Sequence, residues 1–246
     1  HIDGVTATHK DVELETFQGN AFDFAQYHFR ITDEADLLQK INQTLHLNLE
    51  TKQTDDLDWL NDPDDTWYAH CSFFKAPVRN VFPSETLRLH QIYDLITSDK
   101  YKRITEELRT ISDAKEASKF KANRFDYVTF SGVFEKRNDN DLKEHSNLLT
   151  IDFDHLENLQ DLKEQLLNDE YFETEMLFIS PSGNGLKWII RIDISEISHS
   201  EYFTAVANYI KKTYNIEVDQ SGKDKSRACF LPYDPQAFLH KRHRPL

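Results

Sequence analysis

The hexapeptide Thr150-Ile151-Asp152-Phe153-Asp154-His155 constrains this chain more than any other segment. It closes the apolar run Leu148 to Phe153, which reads as a buried β-strand. Residues two apart on a strand point to one face. Asp152 and Asp154 therefore project side by side, while Ile151 and Phe153 enter the core. Two carboxylates about 4 Å apart repel by roughly 4 kcal/mol at an effective dielectric near 20. Protonation of one acid offsets that repulsion, and so do divalent cations. Mg²⁺ and Mn²⁺ take carboxylate oxygens and complete their shells with phosphates and water. The plain structural alternative is a pair of solvated acids at a strand end. On the repulsion argument, Asp152→Ala is expected to leave melting similar or improved.

The glycine-rich segment Ser180-Pro181-Ser182-Gly183-Asn184-Gly185-Leu186-Lys187 lies between two apolar stretches, Met176 to Ile179 and Leu186 to Ile192. Two Gly and two Ser in six residues permit positive φ and expose backbone N–H groups. Such a turn is either a plain hairpin loop or a phosphate cradle with Lys187 as its point charge. It is not a P-loop, because the Gly-Lys-[Ser/Thr] ending is absent; the other Gly-Lys pair, Gly222-Lys223, is followed by Asp224. Further on, Asp219 is a turn residue or the third member of a carboxylate site, and Arg227 is placed to hold a triphosphate or a nucleic-acid backbone.

Around these motifs the periodicity predicts helices near 33–45 (Leu37, Leu38, Ile41, Leu45), 84–96 (Leu87, Ile92, Leu95, Ile96), 101–112, 159–166 and 198–214. The last opens on the capping box Ser198-x-x-Glu201. Strands are expected at Tyr127 to Phe130, ended by Ser131-Gly132, and at the three apolar runs. Leu231-Pro232-Tyr233-Asp234-Pro235 reads as a turn-rich tail. Helices followed by β, β, α, β, β, α make the fold α/β or α+β.

The net charge of −14 argues against a strongly basic nucleic-acid binder, but it is unevenly spread. Residues 1–70 carry 15 Asp and Glu against 4 Lys and Arg; residues 71–246 carry 28 against 25, a net of only −3. The second part can still present a basic groove to phosphate. The expected division is an acidic extension, 1–70, and a main domain, 71–246. Within the extension, Gln53 to Asp65 holds six Asp and one Pro and reads as a connector. Two cysteines, Cys71 and Cys229, are too few for a disulfide framework or a four-cysteine zinc module, which fits a reducing cytoplasm. No apolar run reaches about 18 residues. The ends at His1 and Leu246 suggest a fragment of a longer protein.

Taken in order, Phe130-Ser131-Gly132, Asp152-x-Asp154, Ser180 to Lys187, Asp219, Arg227 and Leu231 to Pro235 resemble the archaeo-eukaryotic-type primase–polymerase superfamily. The resemblance is closest to its VirE-like N-terminal branch on bacterial mobile elements, and it covers about residues 71–240. It implies an α+β domain with a primase-like mixed sheet and an RRM-like unit. It implies template-dependent nucleotidyl transfer with two Mg²⁺ or Mn²⁺ ions on Asp152, Asp154 and Asp219. Ser180, Ser182, Gly183, Gly185, Lys187 and Arg227 would then bind the nucleotide. Implied partners are single-stranded or primed template, nucleoside triphosphates and a helicase-type ATPase. The second motif departs from the family: many relatives carry His where this chain has Lys187. From a different class, a non-catalytic nucleic-acid or partner-binding module uses the same surface, and a metal-dependent phosphoesterase or nuclease uses the same carboxylates.

Overall fold

The computed structural model describes residues 8–10, 18–20, 25–26, 28–44 and 69–244. The chain divides into two compact units, residues 1–65 and 66–246. In the first, β1 (Thr8–Lys10) pairs antiparallel with β2 (Gln18–Asn20). Helix α1 (Glu34–Thr44) starts where the Asp33 carboxylate accepts the Asp36 N–H at 3.0 Å. Leu37 is fully buried while its neighbour Leu38 is exposed, so the apolar stripe is narrower than the spacing suggests. Leu45 and the acidic connector 53–65 lie outside the described residues.

The second unit is a mixed α+β fold built on antiparallel sheets. One contains β3 (His70–Phe74), β4 (Glu85–Arg88), β5 (Tyr127–Thr129) and β11 (Cys229–Phe230), in the order β11-β5-β3-β4. The other contains β8 (Leu148–Phe153), β9 (Thr174–Ile179), β10 (Leu186–Arg191) and β12 (Phe238–Leu239), in the order β12-β9-β10-β8. A hairpin of β6 (Gly132–Phe134) and β7 (Leu142–His145) accompanies them.

Both faces of the second sheet are covered, which is why its strands read as continuous apolar runs. Leu149, Ile151, Phe153, Leu177, Trp188 and Ile190 pack with α5 (Leu159–Leu167) and α6 (His199–Tyr214) through Leu162, Leu166, Phe203, Val206 and Ile210. Leu148, Met176, Phe178 and Ile189, on the opposite face, join Cys71, Phe73 and Val128 of the first sheet, Phe130 just beyond β5, and Leu89, Ile92 and Ile96 of α2 (Leu89–Thr97). Asp152 and Lys187 lie on this inter-sheet face, since each is an even number of residues from a member of that core. The rest of the helical layer is α3 (Lys102–Arg109) and α4 (Ala114–Arg124).

One expected element changes type. Residues 85–88 form a strand, because Leu87 faces Cys71 across the β3–β4 ladder and is buried there; the helix starts only at Leu89. The tail is tied down by Asp234, whose carboxylate accepts the Ile179 N–H at 2.8 Å and whose own N–H donates to Ile96 O at 3.0 Å. Cys71 and Cys229 are buried free thiols, and burial pushes both well above the ordinary thiol range. Among the described residues no helix is long and apolar enough to cross a membrane.

Candidate metal centre and anion cleft

Asp152 occupies the last pair but one at the turn end of the β8–β10 ladder, directly opposite Lys187. Their side chains form an ion pair, and both are nearly buried, at 7% and 11% exposure. Asp154 lies one residue beyond the end of β8 and is exposed. The following residue, His155, takes φ of 54° and turns the chain toward α5.

Asp219 reaches this point by a route the helix sets up. Helix α6 ends at Asn215 in the left-handed conformation, φ 55° and ψ 36°, which reverses the chain. Val218 is buried, and the Asp219 N–H donates to Asp152 O at 3.1 Å. A short 3₁₀ turn, Gln220–Lys223, follows; its Gly222 packs so closely that a Cβ there would sit 2.3 Å from the Phe203 ring. Only glycine allows that approach. Carboxylate oxygens of Asp152, Asp154 and Asp219 thereby lie within 4.8 Å of one another, a grouping able to hold a metal ion.

Two cations are already bound to these acids. Arg227 Nη2 lies 3.2 Å from Asp152 Oδ2 and 2.5 Å from Asp219 Oδ2. Burial acts to raise the Asp219 pKa, but hydrogen bonds from Ser221 and the Arg227 charge outweigh it and hold the carboxyl below its ordinary range. Burial likewise works against the Arg227 charge, and Asp219 and Asp152 more than restore it. Asp152 Oδ1 is buried and has no hydrogen-bond partner among the described residues.

The glycine-rich turn closes on itself, with Ser180 N–H donating to Gly185 O at 2.8 Å and Gly183 N–H to Ser180 O at 2.9 Å, and its surroundings fix it in place. Gly183 has φ of 83°, and Gly185 approaches β8 so closely that a Cβ would meet Phe153 O at 2.2 Å. Arg109, from the end of α3, donates from Nε to Pro181 O at 3.2 Å and from Nη2 to Ser180 O at 3.4 Å. Ser180 Oγ is buried without a partner among the described residues, and Ser182 Oγ accepts from Lys121 Nζ at 3.5 Å.

Acids, turn and cations line one cleft of about 370 Å³. Six of the residues singled out from sequence line it: Asp152, Asp154, Ser180, Ser182, Lys187 and Arg227. Asp219 joins them through Arg227, and Gly183 and Gly185 shape the turn. Sequence reasoning missed Lys121, Arg137 and Arg109. Lys121 stands half-buried on α4, none of whose residues is fully buried, so the helix carries no apolar stripe to mark it. Its pKa is lowered, first by burial and then by the Lys187 charge. Arg137 follows β6 and lies over the Tyr127 ring, 5.3 Å from its centroid. Four cations and three acids, Asp152, Asp154 and Asp224, thus face the same space.

A family profile described as BT4734-like, N-terminal domain, matches residues 119–239. That stretch runs from α4 to β12 and contains all three acids, the turn, Lys121, Arg137, Lys187 and Arg227. No curated protein matches the chain, and no solved structure does. The family's description states no activity, so the chemistry rests on the cleft itself.

Proposed function

We propose that residues 66–246 form a template-dependent nucleotidyltransferase of primase or polymerase type. The observation that carries this reading is the convergence of Asp152, Asp154 and Asp219, from two distant parts of the chain, beside a glycine turn and four cations. Such a site suits a nucleoside triphosphate: acids for the ions, cations for the phosphates. Asp152, Asp154 and Asp219 would hold two Mg²⁺ or Mn²⁺ ions, which when bound activate an attacking hydroxyl and stabilise leaving pyrophosphate. Lys187, Arg227 and Lys121 neutralise phosphate charge. Ser180 and Ser182 supply hydroxyl donors, and Arg109 keeps the turn's carbonyls directed away from the anion. The buried Asp152 Oδ1 fits an ion as its missing partner.

The finer fold reading, a primase-like sheet core with an RRM-like unit, belongs to the same proposal. It is supported by antiparallel β8-β10-β9 backed by α5 and α6. A role in replicating a mobile element, in the cytoplasm and beside a helicase-type ATPase, follows from the primase–polymerase resemblance. The deciding experiment is extension of a labelled primer on single-stranded template with Mg²⁺ or Mn²⁺ and either dNTPs or NTPs, alongside unprimed synthesis. Template-directed elongation that Asp152→Asn abolishes is expected. A folded protein that elongates nothing under any of these conditions refutes the reading, and strand cleavage in place of elongation assigns the carboxylates to a phosphoesterase. The binding-module alternative is favoured by one observation, that Lys187 and Arg227 already neutralise Asp152. Metal-independent DNA binding indifferent to Asp152→Asn supports it.

A further inference from the structure

We propose that the cleft takes a divalent ion and a triphosphate as one unit, because Arg227 and Lys187 hold the ion's place until phosphate draws them away. This deepens the nucleotidyltransferase reading and rests on it. Asp152 Oδ2 is contacted by both Lys187 Nζ and Arg227 Nη2, and the same Nη2 reaches Asp219 Oδ2. An ion bound by these two carboxylates competes with both side chains for the same oxygen atoms.

Two further atoms point to a ligand. Among the described residues Asp152 Oδ1 and Ser180 Oγ are buried without partners, on residues 5% and 4% exposed, and both residues line the cleft. Buried polar atoms are normally paired, and the chemistry of these two suits the two parts of the ligand: an anionic oxygen for a cation, a hydroxyl for an anion.

An ion arriving alone must displace two cations from the acids they neutralise, with only the exposed Asp224 left in the cleft as another anion for them. A triphosphate arriving alone must strip the same cations from Asp152 and Asp219 and leave those carboxylates bare. Arriving together, the ion satisfies the carboxylates while Lys187 and Arg227 pass to the phosphate oxygens. Charge is matched at both ends of the exchange, so the couplings are positive and reciprocal. Lys121 lines the cleft but contacts Ser182 rather than an acid, so it can serve phosphate without obstructing the ion.

The test measures binding by the full chain, with Mn²⁺ alone and with Mn²⁺ plus inorganic tripolyphosphate, by calorimetry and by Mn²⁺-dependent thermal shift. Arg227→Gln is expected to bind Mn²⁺ alone about tenfold more tightly than wild type, and the Mn²⁺–tripolyphosphate complex about tenfold more weakly. Lys187→Gln is expected to move both in the same directions, which keeps the test available if one variant folds poorly. Lys121→Gln should weaken only the complex. The proposal is overturned if Arg227→Gln and Lys187→Gln leave Mn²⁺ affinity unchanged or lower it, or if wild type binds Mn²⁺ alone as tightly as in the complex. Those results are separable from the fate of the enzymatic reading: elongation without this coupling refutes only the exchange, and coupling without elongation refutes only the polymerase assignment.

Discussion

Lys187 lies directly across the β8–β10 ladder from Asp152, and its ammonium group is ion-paired with that carboxylate. The pairing changes what removal of Asp152 does. From sequence, the nearest charge to Asp152 is Asp154, and truncation relieves repulsion. In the fold the nearest charges are Lys187 and Arg227.

Asp152→Ala is therefore expected to destabilise the protein, by about 3 kcal/mol, because it leaves a nearly buried ammonium without its partner. Urea unfolding checks the magnitude. The double variant Asp152→Ala with Lys187→Met should recover most of the loss, since it removes both charges together. It should recover no elongation. If the single variant melts at or above wild type, the ion pair contributes nothing.

Gly185→Ala tests the turn. A methyl at that position meets Phe153 O at 2.2 Å, a backbone atom that cannot swing aside. Separation of β8 from β10 at the end that carries Asp152 and Lys187 is expected, with a loss of about 2 kcal/mol or more and of metal binding. A crystal structure of the variant, or loss of amide protection at Leu186 and Phe153, checks it. Unchanged stability sinks the close-approach argument.

The elements legible in the sequence were those buried on a periodic or continuous apolar pattern: β8, β9, β10, α5 and α6. Their connecting turn and the Asp-x-Asp pair were legible because they need special backbone or special charge. Strand β4 reads as helix in the sequence because it runs without a break into the helix Leu89–Thr97; only its partner Cys71 on β3 decides. Helix α4 leaves no pattern, since none of its residues is fully buried, although Asp113 caps it by accepting the Glu116 N–H at 2.8 Å. The meeting of Asp219 with Asp152 depends on a main-chain hydrogen bond and on Gly222 against Phe203, contacts more than fifty residues or one helix apart that no local pattern reports.

Arg109→Ala tests a positioning residue that only the fold reveals. The side chain touches the turn's carbonyls and none of the acids. Losing two hydrogen bonds at an exposed residue costs about 1 kcal/mol of stability or less. Nucleotide KM should rise several-fold with little change in kcat, since the turn loses its setting and the carboxylates keep theirs. A fall in kcat at constant KM contradicts that assignment.

The acid response of the protein should be governed in part by the pair His145 and His199. Asn147 N–H donates to His145 Nδ1 at 3.0 Å, the two rings meet at 3.1 Å between His145 Nε2 and His199 Nδ1, and His199 Nε2 lies 3.3 Å from Gly222 O. A carbonyl only accepts, so His199 carries its proton on Nε2; its Nδ1 then accepts from His145 Nε2–H, and His145 Nδ1 accepts from Asn147. Each ring is neutral, and a second proton on either finds no acceptor. Burial first, then the neighbouring His145, lowers the His199 pKa from 6.5 to about 4, and burial lowers that of His145 as well. The unfolded chain therefore takes up these protons before the folded one does. The stability present above about pH 6.5 is lost as pH falls toward 4, by about 2 kcal/mol from His199 alone at about pH 5. Because Gly222 anchors the segment bearing Asp219, metal binding should weaken over the same range. Urea unfolding at about pH 7.5 and about pH 5 on wild type and His199→Asn checks this. The variant should be less stable at the higher pH and lose less on acidification. Equal acid sensitivity in the two proteins would assign the loss to carboxylates elsewhere and leave the histidine pair without a part in it.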